Sequence, residues 1–247
     1  MSAPGLEARK GILKGEKMEY QMDFIDMMKV MKADEEAEIP HPKFSIIIPA
    51  HNSGDFNWRA FESISKQTFT DYELIVVCDS CEDDTKEVAE VYTKNVIVID
   101  AHNDGIARNA GIDAAKGDWI LFMDDDDWWL HDYVLEILDP VCKGDSFDIL
   151  CFGFIWKGIG PIAPVKENNG LWPNVWSKVW RRKFIENIRF KNVPMESDLH
   201  FTRDVIAEGA RINILDTHLY YYNYMRKGSQ TELAARREDE EREEIHD

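Results

Sequence analysis

Between Lys43 and Asp124 the chain alternates short, nearly unbroken apolar runs with stretches of helical spacing, and few folds accept that order. The runs are FSIIIP at 44–49, YELIVVC at 72–78, NVIVID at 95–100 and DWILFM at 118–123. Helices are expected between them, from Trp58 to Lys66, from about Asp84 to Tyr92 and from about Gly105 to Ala115. A strand that is apolar on both faces must be covered on both, and helices threaded between parallel strands supply that cover. The segment therefore reads as an α/β, Rossmann-like half-domain with a mostly parallel sheet, of the kind that binds nucleotides.

The rest of the chain fits around this unit. At 247 residues and 44% hydrophobic content it can bury one core with extensions, and is too short for two large domains. Tyr20, Phe24, Met27, Met28 and Met31 fall at helical spacing, so an amphipathic N-terminal helix is expected over 18–31, covering the main domain or a partner subunit in a homo-oligomer. An acidic, proline-punctuated linker follows over 33–42. From Glu232 to Asp247 eight acids and three arginines make a solvated tail. The expected division is an N-terminal helix and linker at 1–42, one catalytic domain at 43–231 and the tail at 232–247.

The net charge of −18 repels phosphate backbones, so general nucleic-acid binding is not expected. A diphosphate site here must bring its own cations, from placed Arg or Lys residues or from a metal. No run of about 18 apolar residues occurs, so no transmembrane segment is expected. The polar start lacks a secretory apolar centre, and a cytoplasmic protein is expected. Four cysteines form no disulfide framework, and Cys78-x-x-Cys81 lacks the second close pair of a zinc site.

The fourth apolar run leads straight into Asp124-Asp125-Asp126-Asp127. In an open α/β sheet, ligands sit beyond the carboxyl ends of the strands, which places these acids at the mouth of the crevice. Adjacent carboxylates repel one another unless a cation or solvent relieves them. Mg²⁺ or Mn²⁺ commonly takes one or two carboxylates plus phosphate oxygens. A solvated acidic turn is the alternative. Beyond Pro140 another strand is expected at 147–156, then a Gly, Pro and Asn-rich loop at 157–173, long enough to carry function.

Several motifs together resemble the inverting family 2 glycosyltransferases of the GT-A fold, over about Phe44 to Thr231. They are Pro49-Ala50-His51-Asn52, the run from Ser63 through Val77, and Cys78-Asp79-Ser80-Cys81-Glu82-Asp83-Asp84-Thr85. Further on come Asn103-Asp104-Gly105-Ile106-Ala107-Arg108-Asn109, Gly117 to Asp127, Trp176 to Arg182, Pro194 to Phe201 and Tyr220 to Thr231. The resemblance implies donor binding by Pro49, His51, Asp79, Arg108, Asp124 and Asp125. His51 stacks on the base, Asp79 accepts a hydrogen bond from it, and Arg108 lies near the donor phosphates. It implies a divalent metal at Asp124 and Asp126, and Asp198 as catalytic base in preference to Glu196. Trp176 to Arg182 would be a helix beside the acceptor, with a structural helix carrying a buried Trp as an equal reading. Arg226 and Lys227 would contact the diphosphate, with two solvated surface cations as the alternative.

Such an enzyme takes a nucleotide-sugar donor, expected to be a UDP-sugar, and inverts the anomeric centre in one displacement. The acceptor is a carbohydrate or another hydroxyl compound; a polysaccharide, a lipid-linked sugar, and a protein or nucleobase hydroxyl all remain open. A nucleotidyltransferase would want a basic Gly-rich loop after its first strand, and HNSGDFN has no Lys or Arg. A non-catalytic sugar-nucleotide or calcium-binding module would not need Asp198.

Overall fold

The computed structural model describes residues 41–165, 170–193, 195–226 and 232. The helix expected over 18–31, its role in a homo-oligomer, the acidic tail and Lys227 lie outside the described residues. The elements run β1 (Phe44–Ala50), α1 (Trp58–Ser65), β2 (Tyr72–Asp79), α2 (Thr85–Tyr92), β3 (Asn95–Ile99), α3 (Asp104–Ala114), β4 (Trp119–Phe122) and β5 (Trp128–Trp129). Then come α4 (Val134–Val141), β6 (Ile149–Trp156), β7 (Gly160–Ile162), β8 (Lys178–Arg181), α5 (Arg182–Ile185), α6 (Ser197–Ala207) and β9 (Ile212–Tyr222).

The period of two along a strand divides the apolar runs between two cores. Phe44, Ile46 and Ile48 of β1, Leu74 and Val76 of β2, and Trp119 and Leu121 of β4 face one layer, which Phe61 and Ile64 of α1 and Leu135 and Leu138 of α4 complete. Ile47, Ile75, Val77, Ile120 and Phe122 face the other, against Ala107 and Ile112 of α3 and Phe201 and Val205 of α6. Both faces are dry, which is why the runs are continuous and not alternating.

The sheet order is β3-β2-β1-β4-β8-β6-β9-β5, with β7 on β6. The first four strands are parallel, as expected for the nucleotide-binding half. Beyond β4 the pairs are antiparallel except β6 with β9. The chain steps outward from β1 to β3 and returns to place β4 on the other side of β1. That reversal is a topological switch point, where a crevice opens beyond the strand ends.

In place of the helix expected over 176–182 there is a turn at 176–177, strand β8 at Lys178–Arg181 and the start of α5 at Arg182. The open edge of β4 needs a partner, and β8 fills it, with Trp119 opposite Arg181. Val179 and Trp180 are then buried on opposite faces, as a strand requires. The long loop over 157–173 also contains β7 and a bridge from Val165 to Leu171.

Gly117, at the turn into β4, shows why its motif tolerates no side chain. A Cβ there would lie 2.6 Å from the Ser45 backbone nitrogen and 2.7 Å from the Phe44 carbonyl carbon. The close approach lets the Gly117 N–H donate to Ser45 Oγ at 2.8 Å. Gly117→Ala should cost about 1–3 kcal/mol, read as a lower denaturant midpoint at unchanged slope.

Candidate active site

A cavity of about 330 Å³ opens at the switch point. Pro49 and His51 after β1, Asp79 at the end of β2, His102 and Arg108 around the start of α3, and Asp124, Asp125 and Asp126 after β4 all line it. Every described residue expected to bind donor or metal is therefore on one wall or another, and Arg226 closes the rim. The strand ends turn sharply. Asn52, Ser80 and His102, which follow β1, β2 and β3, have φ of 48°, 54° and 50°. Left-handed backbone in three non-glycine residues is strain held by the surroundings, and it gathers at this crevice.

Asp79 supplies much of that hold. Its Oδ1 accepts from the N–H groups of Ala101 and His102 at 2.7 and 3.0 Å and from the Ser80 hydroxyl at 2.9 Å. Oδ2 accepts from the N–H of Asn103 at 2.7 Å. Burial pushes its pKa up, but the donors from Ala101, Asn103, Ser80 and His102 outweigh it and hold it below the usual carboxylate range. Of about four lone-pair sites on an ionised carboxylate, one remains on Oδ2 for a ligand. His51 is similarly oriented, because its Nδ1 lies 2.6 Å from the Asp79 carbonyl, which can only accept. Its Nδ1 therefore carries the proton in this contact, and the ring stands edge-on to His102 with centroids 6.2 Å apart.

The four aspartates divide their work. Asp127 is fully buried, and burial together with Asp126 and Asp124 pushes its carboxyl well above the usual range. It accepts from the Tyr220 hydroxyl at 2.7 Å and from the Asn223 N–H at 2.7 Å. Tyr220 in turn accepts from the N–H of Asp124 at 3.1 Å. The end of β9, paired with β5 directly after the aspartates, thus pins their corner. Asp124, Asp125 and Asp126 face the cavity. Burial and mutual repulsion push Asp124 and Asp125 up to about 7. Asp126 pairs through Oδ2 with Arg226 Nε at 2.8 Å, and the same guanidinium lies 3.7 Å over the Phe56 ring. Arg226 is therefore not a solvated surface cation.

Arg108 sits where the two halves of the site meet. It is 4% exposed, and not the surface side chain that a plain helix start would present. Its guanidinium reaches Asp104 at 2.5 Å, Asp124 at 2.8 Å and Asp198 at 3.5 Å. Burial opposes its charge, and the carboxylates of Asp198, Asp124 and Asp104 outweigh it and raise its pKa. Asp198, in the first turn of α6, also accepts from the Val175 N–H at 3.1 Å through Oδ2, while its buried Oδ1 has no hydrogen-bond partner. Burial pushes the Asp198 pKa up against the pull of Arg108. Glu196 is exposed, with φ of 63°, at the residue before α6.

Asp198 lines a second cavity, of about 450 Å³, walled by Phe154, Trp156, Trp172, Trp176 and Tyr222. Asp104, Arg108, Asp124 and Tyr222 border both cavities. The sequence puts Asp127 at the crevice mouth with the other acids but assigns it no role of its own, and assigns none to Tyr220, Trp156, Trp172 or Asn174. Their signal was present, as the fourth acid of the run and as aromatic residues gathered near 154–156 and 172–176. Lys178, in the motif read as a helix, is fully buried and donates to the backbone carbonyls of Trp172, at 2.8 Å, and of Asn174. Among the described residues no group of three or more His, Cys, Asp or Glu side chains could hold a metal by itself. None of their helices is long and apolar enough to cross a membrane.

The sequence pattern of glycosyl transferase family 2 matches residues 45–204. EpsJ of Bacillus subtilis, an uncharacterized glycosyltransferase, is 29% identical over 211 residues, which are 73% of this chain and 61% of that protein. The structure of S. aureus TarS 1-349 in complex with UDP superposes with a TM-score of 0.65 at 25% identity, over 73% of this chain and 60% of that one. A mannosyltransferase from Pyrobaculum calidifontis, in complex with GDP-Man and Mn²⁺, has a TM-score of 0.62 at 13% identity over 82% of this chain and 65% of that one, and shares the fold alone. The chain spans about three fifths or less of the curated relatives it matches first.

Proposed function

Because this chain belongs to glycosyl transferase family 2 and has the GT-A fold, we propose that it transfers a sugar from a UDP-sugar to an acceptor hydroxyl, with inversion and with a divalent metal. The observation that carries the reading is the meeting of the two cavities at Arg108 and Asp124, with the aspartate corner on one side and Asp198 on the other. A displacement needs that layout, since the attacking oxygen and the leaving diphosphate approach the anomeric carbon from opposite faces. Asp198 takes the acceptor proton as the new C–O bond forms. The bond from the anomeric carbon to the diphosphate breaks, and the leaving group keeps the electron pair.

On the donor side, His51 offers a ring face and Asp79 one remaining lone pair, which suits a base with an N–H group. The UDP in the TarS complex supports uridine as that base. The chemistry of the donor set fits a metal. Asp124 and Asp126 present hard oxygens to the cavity, and the guanidinium on Asp126 shows that the position attracts a cation. Mg²⁺ or Mn²⁺ held there would offset the charge that builds on the departing diphosphate. Two carboxylates would leave such a metal open to further hard oxygen ligands. Arg226 adds a positive charge to the rim.

Calorimetry of UDP with the protein tests this directly. In Mn²⁺ we expect one site per chain, and in EDTA a loss of at least about tenfold in affinity. Equal binding in both would remove the metal from the reading. No UDP binding in either, together with no hydrolysis of any UDP-sugar, would remove the transferase.

A further inference from the structure

We infer that the cavity beside Asp198 is an acceptor subsite for a pyranose ring, in which Trp156 Nε1 and Asn174 Nδ2 donate to hydroxyls flanking the one that reacts. This rests on the transferase reading above and names the acceptor class.

Two buried donors on this wall, Trp156 Nε1 and Asn174 Nδ2, have no hydrogen-bond partner among the described residues, and the buried Asp198 Oδ1 has only the Arg108 guanidinium, at 3.5 Å. Three other indoles in and around the core do have an acceptor. Trp119 donates to the Cys142 carbonyl at 3.1 Å, Trp172 to that of Ala163 at 3.1 Å and Trp180 to that of Val175 at 3.0 Å. A buried donor without a partner is costly, and where a fold keeps one beside a cavity it is available to a ligand. The orientation of the Asn174 amide is fixed chemically. Its Oδ1 accepts from Ser177 Oγ at 3.2 Å and lies 3.4 Å from Lys178 Nζ, both of them donors, so Nδ2 is the end left over.

The remaining wall is aromatic. Trp156 and Trp172 meet edge to face with centroids 6.4 Å apart, and Trp156 meets Tyr222 at 5.6 Å. Trp176 lies against Phe154 at 4.8 Å and Tyr222 at 4.9 Å. A purely apolar acceptor would suit these rings but would leave two buried donors unsatisfied. A flexible polyol would satisfy the polar atoms and waste the rings. A pyranose has C–H groups on its faces and hydroxyls around its edge, and meets both demands at once.

The test uses the full chain with Mn²⁺ and UDP-glucose, UDP-galactose or UDP-N-acetylglucosamine, and reads UDP release. Acceptors are the methyl pyranosides of glucose, galactose and N-acetylglucosamine, their monodeoxy analogues, and octanol and cholesterol as apolar competitors. At least one pyranoside should raise UDP release above hydrolysis to water. Trp156→Phe keeps the ring wall and removes one donor, so the acceptor KM should rise about tenfold while the donor KM stays in place. One monodeoxy analogue should show the same rise with the unmodified protein and no further rise with Trp156→Phe. Asn174→Asp retains the Oδ1 contacts and should act likewise on a different ring position, which keeps the test open if Trp156→Phe does not fold. If octanol or cholesterol is the better acceptor, or if donor hydrolysis proceeds and no pyranoside increases it, the inference is overturned and the transferase reading stands. If no donor is bound or hydrolysed, both fall.

Discussion

Asp198→Asn should abolish most sugar transfer, by about a hundredfold to ten-thousandfold, while UDP still binds. The asparagine keeps the volume of the side chain and an oxygen for the Val175 N–H, so α6 retains its contact at the first turn. It leaves Arg108 with Asp104 and Asp124 as counter-charges. What is lost is the lone pair that receives the acceptor proton, so the defect belongs in kcat with the donor KM little changed. The variant and the parent would be compared by UDP release with acceptor present and by calorimetry of UDP alone. Transfer at a near wild-type rate would take Asp198 out of the chemistry, and a loss of UDP affinity equal to the loss of rate would make it a binding residue.

Arg108→Met should produce the largest loss of stability of any single change in the site. Three carboxylates converge on this guanidinium, and removing it leaves them facing one another in a partly dry cleft. Breaking a buried ion pair on one side costs about 3–5 kcal/mol. Asp104, Asp124 and Asp198 are each between a quarter and a third exposed or slightly less, so the low end, about 3 kcal/mol, is expected. For a chain of this size that corresponds to a melting temperature lower by roughly 6–12 °C. Arg108→Lys keeps the charge but cannot reach three carboxylates with a fixed fork, and should fall between the two. A melt unchanged in Arg108→Met would mean that the carboxylates relax into solvent, and that the residue is not the keystone its contacts imply.

The first half of the fold was legible because each of its strands is buried on both faces. Such strands are nearly pure apolar runs, and the Gly, Asn and Asp residues between them mark the turns. The aspartate corner was legible for the same reason, as a polar run directly after an apolar one. The stretch over 176–182 was not, because Trp176, Val179 and Trp180 fit the spacing of a helix as well as the two faces of a strand. Only the open edge of β4, a neighbour about 60 residues away in sequence, decides between them. Asp198 is proposed by register with its motif, whereas Asp104 and Tyr220 carry no such signal, because their roles depend on partners that no local pattern announces. The acceptor wall is the extreme case. Trp156 comes from the end of β6 and Trp172 and Asn174 from the segment before β8, so their common cavity exists only after the sheet has formed.

The bond from Tyr220 to Asp127 joins residues 93 positions apart, and it has a bearing on how the protein comes into being. On the ribosome, β1 to β4 and the aspartates emerge early and can collapse onto their helices. Yet the corner cannot take its shape until β9 has been made and has paired between β6 and β5. A nascent chain halted before residue 220 would carry all four aspartates without the buried hydroxyl that holds them, and on the proposed function is expected not to bind UDP. Splitting the gene between α6 and β9 would give two polypeptides, neither competent alone. Mixing them should restore UDP uptake only as the second supplies its strand.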